Sequence, residues 1–462
     1  MNDVMLNKHL RIFFSGIGGS GMSALATFMS GRGNEIVGSD RAFNRNPRHP
    51  VRQVLLSRGI KIVPQDGRGL DGSFDIAVFS TAVEGDQPEA VRARSLGLTV
   101  MTRPQFLAGI VSSLSTIAVA GTSGKSTTSG MLAFLMRELG LAPSFIGGGR
   151  VKDFRTENNP GNAIVGTSDR LVIEACESDG TIVDYHPVRT IILNLDLDHH
   201  SIGDTSRMFR MLMDNTEGLI IANGDDRNLR EIVPGNAVTF SLDAPSDYRV
   251  DNIHLLPLGS AFSVRGVPLR LNLPGRYNIS NAAACIALLS ELGIPVRDIA
   301  PALERFQGIE RRFDIHRDDA EGLVIDDYAH NPHKIAALME TVKPLRERIC
   351  YLFQPHGFGP TRMMKNEYIA AFAEHLRNGD HLVVLPIFYE GGTVVRDISS
   401  RDISDGVAAR GKSAEAVTGR EEMLSKVSRW DGYVVFGARD ETLSDFARQI
   451  ARRLDVVREK VG

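Results

Sequence analysis

Ile117-Ala118-Val119-Ala120 runs directly into Gly121-Thr122-Ser123-Gly124-Lys125-Ser126-Thr127-Thr128, and the apolar segment Met131–Met136 follows. A short apolar run, a glycine-bracketed turn and an amphipathic segment read as strand, loop and helix. Such a loop aims successive backbone N–H groups and a positive helix end at an anion. Lys125 adds a point charge for outer phosphates, and Ser126 a hydroxyl suited to Mg²⁺. The common phosphate loop has four residues between its glycines; here Thr122 and Ser123 stand alone between Gly121 and Gly124. Taken by itself, the octapeptide also fits a glycine-rich turn with one surface lysine.

Length and charge narrow the field. At 462 residues the chain exceeds the size at which one core stops growing, so two to four domains are expected. A net charge of −3 and the lack of a long basic run give no reason to expect nucleic acid. Cys176, Cys285 and Cys350 lie far apart, which suits reduced intracellular thiols better than a disulfide framework. The start, Met1–Lys8, lacks a basic stretch followed by an apolar core, and no apolar run is long enough to span a bilayer. A cytoplasmic protein without membrane partners is therefore expected.

In the first third, the strand Arg11–Ser15 leads into Gly16-Ile17-Gly18-Gly19-Ser20-Gly21-Met22, and Ala24–Met29 has helical spacing. Glu35–Asp40 is a second strand ending in an acid, and Phe74–Ser80 a further one, followed by Thr81-Ala82-Val83. Phosphates at the helix start and Asp40 on a ribose hydroxyl make a dinucleotide-type arrangement, for a nicotinamide cofactor or another nucleotide. In the central third, the strand Arg170–Glu174 ends in a carboxylate, and Thr190–Asn194 leads to Leu195-Asp196-Leu197-Asp198-His199. Beside a phosphate loop, Glu174 suits a divalent ion; His199 is an unusual ligand for Mg²⁺ unless a second metal position is used. Alone, Glu174 reads as a surface acid and His199 as a turn residue. Asn278 and Asn281, in Pro274–Ala284, pair with a base edge or cap a helix. In the last third, Gly322–Asp327 is a strand, followed by Tyr328-Ala329-His330-Asn331-Pro332.

In this order the motifs resemble the Mur ligase family over nearly the whole chain. The shortened Gly-Thr-x-Gly-Lys-Ser loop is similar to that of the Mur ligases and the folylpolyglutamate synthetases. The first third resembles the family's UDP-binding domain, which implies that Gly16, Gly18, Gly19, Gly21, Met22, Asp40, Ser80 and Thr81 hold the UDP of a UDP-N-acetylmuramate-type nucleotide sugar. Thr102–Leu107 resembles the join to the central domain. The resemblance implies ATP on Gly121, Thr122, Ser123, Gly124, Lys125, Ser126 and Thr127, with Asn278 and Asn281 toward adenine. Arg312 goes to phosphate and Asp327 to ribose. It implies a metal held by Ser126, Glu174 and His199. Arg311, before Arg312, is expected at the surface. Tyr328, His330, His356 and Arg362 fall to the acceptor. No lysine lies between Lys152 and Lys334, which resembles the alanine-adding branch, the one without a carbamylated lysine there.

One departure bears on the acceptor. Phe353–Arg362 aligns with the alanine-adding branch, yet Gly357 and Pro360 stand where two arginines face the acceptor's carboxylate. Losing two guanidinium donors forfeits charge-assisted bonds worth roughly 1.5–3 kcal/mol each. That leaves L-alanine, another amino acid or a short peptide such as L-Ala-γ-D-Glu-meso-diaminopimelate as acceptor, with Arg362 or Arg439 as substitute cations. Arg439 occupies a glycine position of the family's Gly-Ala-Gly-Asp.

The expected architecture is three α/β domains: a Rossmann-like UDP-sugar domain (1–110), a central parallel α/β ATP domain (111–317) and a Rossmann-like acceptor domain (318–462). The resemblance implies an ATP- and Mg²⁺-dependent carboxylate–amine ligase working through an acyl phosphate, a monomer or weak homodimer. Lys125, His199, Arg312 and His330 would carry the chemistry, with His199 or His330 taking the amine proton, and closure of the third domain excluding water. Two other classes stay open. A nicotinamide oxidoreductase explains the first glycine turn but leaves Gly121–Thr128 and Glu174 without a role, and a non-catalytic Mur-like binding protein fits the altered acceptor loop.

Overall fold

A computed structural model describes residues 9–178, 180–197, 200–389, 395–427 and 429–459. The chain divides into two compact units after Ile309. The first unit holds two sheets and the second holds one.

The first sheet consists of β1 (Arg11–Ser15), β2 (Glu35–Ser39), β3 (Lys61–Val63), β4 (Ile76–Phe79) and β5 (Thr99–Thr102), in the order β3-β2-β1-β4-β5. Every pairing is parallel. β1 lies at the centre, and its alternation explains why: Ile12 and Phe14 face one core cluster and Phe13 the other, all fully buried. Phe14 meets Phe106 edge-on at 5.8 Å, and Phe13 meets Phe74 at 5.5 Å. The strand order reverses between β1 and β4, so the turns after Ser15 and Phe79 flank the crevice where open α/β sheets bind ligands.

The second sheet carries β6 (Ser115–Ala120), β7 (Ser144–Ile146), β8 (Ala163–Ile164), β9 (Arg170–Glu174), β10 (Arg189–Ile192), β11 (Ile220–Asn223), β12 (Val238–Ser241), β13 (Tyr248–Leu256), β14 (Gly259–Val264) and β15 (Val267–Leu271). Their order is β15-β14-β13-β12-β11-β10-β6-β9-β7-β8. The stretch from β13 to β7 is parallel, as expected, but β14, β15 and β8 run antiparallel at the two ends. The sequence pattern did not announce this extension. Alternating strands with short Gly-containing turns, as at Leu256–Gly259 and Val264–Val267, make hairpins without intervening helices. The helices Lys125–Glu138 and Arg276–Glu291 are buried along most of their length. A helix apolar on every side is sandwiched between layers, and both of these contribute to the core cluster that covers the sheet.

The second unit carries β16 (Asp314–Asp319), β17 (Gly322–Asp327), β18 (Ile349–Phe353), β19 (His381–Val384), β20 (Ala414–Ala416) and β21 (Gly432–Phe436), in the order β16-β17-β21-β18-β19-β20. Only β16 runs antiparallel among these pairings. Residue 317 falls inside β16. Phe353 packs against Tyr368, Phe372 and Phe436 at 5.1–5.4 Å between ring centroids. Asn331 accepts a hydrogen bond from the Lys334 N–H and Pro332 sits at the first helical position, so the end of the His330-Asn331-Pro332 motif is a helix start. Among the described residues no helix is long and apolar enough to cross a membrane.

Candidate active site

The phosphate loop stands at the C-terminal end of β6, between β9 and β10. The register Val119↔Glu174 and Ile192↔Ala120 brings the ends of all three strands level. Gly121 has φ +144°, and a Cβ there would sit 2.9 Å from Leu193 Cβ; Gly124 has φ +84°, and a Cβ there would meet Asn281 Oδ1 at 2.6 Å. Only glycine fits both positions. The helix Lys125–Glu138 begins immediately after, with its first-turn N–H groups at the loop.

Asn194 holds the loop from the β10 side. Its Oδ1 accepts from Thr122 Oγ1 at 2.7 Å and from the Ser123 N–H at 2.8 Å, and its Nδ2 donates to Ser123 O at 3.0 Å. The Thr122 N–H also donates to Asn194 O at 3.2 Å. From the β9 side come two carboxylates. Glu174 Oε1 accepts from Ser126 Oγ at 3.1 Å and Oε2 from the Gly148 N–H at 3.0 Å. Lys125 Nζ, buried, donates to Glu177 Oε2 at 2.8 Å and to Gly121 O at 2.6 Å. Burial pushes the Lys125 ammonium down, but Cys176, Glu177 and Glu174 more than offset it, and the net shift is upward. Lys125 is therefore a fixed cation.

Asn281 reaches the loop at Gly124, and Asn281 Nδ2 donates to Asn278 Oδ1 at 3.4 Å. Asn278 donates to Pro274 O at 2.8 Å. Gly275 occupies the cap position of that helix, so neither asparagine is its cap. His199 lies outside the described residues. Among the described residues no group of three His, Cys, Asp or Glu side chains converges as a metal site.

In the first sheet, Gly16 has φ +80°, and a Cβ there would lie 2.9 Å from Ser80 Cβ, so the two turns at the crevice touch. Asp40 accepts from the Gly18 N–H at 2.9 Å and from the Ala42 N–H at 2.8 Å, tying the glycine turn to the second strand's end. Gly19 caps the helix Ser20–Gly31, in which Gly21 lies in the first turn and Met22 is buried. Ser80 donates its N–H to Ser15 O at 3.0 Å, and Thr81 follows exposed. Arg103 was not singled out by the sequence as a ligand, yet a Cβ on Gly21 would come within 3.3 Å of it.

The second unit gathers another group. Asp327 accepts from the Phe313 and Ala329 N–H groups, each at 2.7 Å. Burial pushes its carboxyl up against the pull of Arg312. The Arg312 guanidinium lies 4.6 Å over the Tyr328 ring. Tyr328, His330 and His356 form a chain of edge-on rings with centroids 5.7 and 5.5 Å apart. Tyr368 Oη donates to His330 O at 2.7 Å.

One expectation changes here. Arg311 is not a surface residue: it is 4% exposed, its Nε lies 3.3 Å from Asp326 Oδ1, and it donates to Asp440 O at 3.0 Å and Gly437 O at 2.6 Å. Asp326, fully buried, needs that cation. Arg362 donates to Asp397 from Nε at 2.8 Å and to Val395 O at 3.0 Å. Arg439 has φ +70°, a left-handed conformation that favours glycine, and its N–H donates to Tyr328 Oη at 3.3 Å. Gly357 has φ +68° and sits just before the helix Phe358–Met363, whose first turn contains Pro360. The Arg396 guanidinium stacks over Tyr389 and Phe358 at 5.1 and 5.6 Å.

Comparison with known proteins yields three family matches in order: "Mur ligase family, catalytic domain" over residues 11–114, "Mur ligase middle domain" over 119–289 and "Mur ligase, glutamate ligase domain" over 311–439. The chain is 34% identical over 418 residues to a UDP-N-acetylmuramate–L-alanine ligase of Pelotomaculum thermopropionicum, covering 87% of this chain and 88% of that one. It is 32% identical over 422 residues to the enzyme of the same name from Syntrophotalea carbinolica, covering 88% and 89%. Among solved structures it resembles UDP-N-acetylmuramate–alanine ligase from Thermotoga maritima, with a TM-score of 0.80 and 28% identity, over 97% of this chain and 100% of that one. A murein peptide ligase from Psychrobacter arcticus shares the fold at a TM-score of 0.69 and 22% identity, over 96% and 98%.

Proposed function

We propose that this chain, which belongs to the Mur ligase family of ATP-dependent amide-forming ligases, joins the carboxylate of UDP-N-acetylmuramate to the amine of L-alanine in peptidoglycan precursor synthesis. The observation that carries the reading is the phosphate loop clamped by Asn194 on one side and by Glu174 and Glu177 on the other. The names of the relatives support the substrates.

The carboxylate attacks the γ-phosphate of ATP, the bond to the β-phosphate bridge breaks, and an acyl phosphate and ADP result. The amine then adds to the acyl carbon, and phosphate leaves. The residues Gly121–Thr127 hold the phosphates with their N–H groups, and Lys125 meets the charge of the transferring group. Ser126 and Glu174 would hold Mg²⁺. Both offer oxygen, which Mg²⁺ requires, and their partners Gly149 and Gly148 are positions where a Cβ would crowd Ser126 Cβ at 3.2 Å and Glu174 Oε2 at 2.8 Å. When bound there, the ion would neutralise phosphate charge. His199 is the third ligand in this reading. Asn278 and Asn281 face adenine, Arg312 a phosphate and Asp327 the ribose. Gly16, Gly18, Gly19, Gly21, Met22, Asp40, Ser80 and Thr81 take the UDP, with Arg103 added on its position beside Gly21. Tyr328, His330, His356 and Arg362 belong to the acceptor, and His330 or His199 receives the amine proton. The three functions divide over residues 1–110, 111–317 and 318–462, in the cytoplasm.

A second reading keeps the chemistry and changes the acceptor to a preformed peptide. It is favoured by one observation, the absence of guanidinium groups at Gly357 and Pro360 combined with the engagement of Arg362 by Asp397. Phosphate release with ATP, Mg²⁺ and UDP-N-acetylmuramate decides between them. Turnover with L-alanine supports the first reading, and turnover with L-Ala-γ-D-Glu-meso-diaminopimelate alone supports the second. Silence with every amine overturns both.

A further inference from the structure

Half of the carboxylate that holds Lys125 is unused. Glu177 lies in the loop after β9 and is 1% exposed. Because β9 pairs with β6 while β10 flanks the opposite edge, Glu177 approaches Lys125 from the side away from Asn194. Its Oε2 takes one ammonium N–H; its Oε1, buried, has no hydrogen-bond partner. Gly121 O takes a second N–H, and that carbonyl is fixed by the loop's backbone, since the neighbouring Thr122 N–H is tied to Asn194 O. An ammonium has three N–H groups. With two assigned, the third has one direction left. Glu174 is turned to Ser126 and Gly148 instead.

We propose that Glu177 is a positioning residue for the reaction: with the Gly121 carbonyl it clamps the Lys125 ammonium, so that the remaining N–H is aimed at the phosphoryl group in transfer. The proposal rests on the reading that Gly121–Thr127 bind the phosphates of ATP. Before nucleotide enters, the same carboxylate balances a cation that would otherwise be buried alone. A lysine released from this clamp keeps its charge but samples many rotamers, so ground-state attraction to ATP survives while alignment in the transition state is lost.

The test uses the full chain and three variants, Glu177→Gln, Glu177→Asp and Lys125→Ala. Mg-ATP binding is read by titration calorimetry, turnover by phosphate release and folding by thermal unfolding. Glu177→Gln keeps the shape and an acceptor oxygen but removes the charge. It is expected to lower kcat about 10- to 100-fold with the Mg-ATP Kd within about threefold and the KM for UDP-N-acetylmuramate within about twofold; Tm falls as well, because the buried ammonium loses its counter-charge. Glu177→Asp is expected to recover at least half of the loss on a logarithmic scale. An unchanged kcat in Glu177→Gln overturns the proposal, and so does a loss of kcat matched by an equal weakening of Mg-ATP binding and of the KM for UDP-N-acetylmuramate. Unaltered Mg-ATP binding in Lys125→Ala overturns the nucleotide reading itself; weakened binding there with wild-type kcat in Glu177→Gln overturns the positioning role alone.

Discussion

Asn194→Ala separates the shape of the phosphate loop from its charge. The side chain makes three hydrogen bonds to the loop, at 2.7, 2.8 and 3.0 Å, and truncation removes all three while leaving Lys125, Ser126 and Glu174 in place. At about 1 kcal/mol net per bond, the loop loses about 3 kcal/mol of support. Water entering the space left by the truncated side chain can rebond the Ser123 N–H and the buried Thr122 hydroxyl, which returns part of it. About 2 kcal/mol then remains as lost preorganisation, equivalent to a fall of roughly 30-fold in kcat/KM for ATP. The lost bonds are local to a loop at a sheet edge, so Tm should fall by no more than about 4 °C. Steady-state phosphate release at varied ATP, with the other substrates saturating, reads the first quantity, and calorimetry the second. A kcat/KM for ATP within threefold of the wild type would refute the idea that Asn194 shapes the loop. A collapse in Tm with no change in kcat/KM at low temperature would show that its bonds serve the fold instead.

Other expectations follow from single side chains. Gly124→Ala places a Cβ at φ +84° and 2.6 Å from Asn281 Oδ1; left-handed strain of about 1–2 kcal/mol plus that clash should lower kcat/KM for ATP at least 10-fold, measured as above. Arg311→Met leaves the buried carboxylate of Asp326 without its cation and should destabilise the second unit by about 3–5 kcal/mol, read by chemical denaturation; a loss under 1 kcal/mol contradicts this. Glu89 is 1% exposed, donates nothing, accepts from Ser15 Oγ on one oxygen and has no partner on the other. Burial pushes its carboxyl above the ordinary value of 4.5, so the stability it lends is present below that value and is lost as pH rises through the raised one. Glu89→Gln should therefore raise Tm at pH 7.5 by about 2–4 °C, with the gain shrinking at pH 4; equal gains at both values contradict the assignment.

Much of this was legible before any coordinates. The strand–loop–helix at Ala120–Lys125 is written in local chemistry, glycines where φ is positive and an apolar run on either side, so it survives without tertiary information. Glu174 was legible as well, because a carboxylate ending a strand next to that loop has a specific neighbour. Glu177 and Asn194 were not. Each acts across the sheet on the loop, and its meaning depends on strand order and register, which no spacing in one sequence encodes. Arg311 and Arg312 are adjacent and chemically equal, and the fold buries the first against Asp326 and sets the second over Tyr328. The antiparallel end of the second sheet escaped for a similar reason, since alternation along a segment marks a strand but not which neighbour it joins.

The helix Lys125–Glu138 is enclosed by protein on nearly every side along three turns. A body so enclosed has no room to tilt or slide, since packed interiors yield little volume. On the proposed reading, a triphosphate arriving at its N-terminus would thus be met by side chains and water alone. Capture at this loop should follow a single exponential whose rate rises linearly with nucleotide concentration, without the plateau that a slow backbone rearrangement imposes.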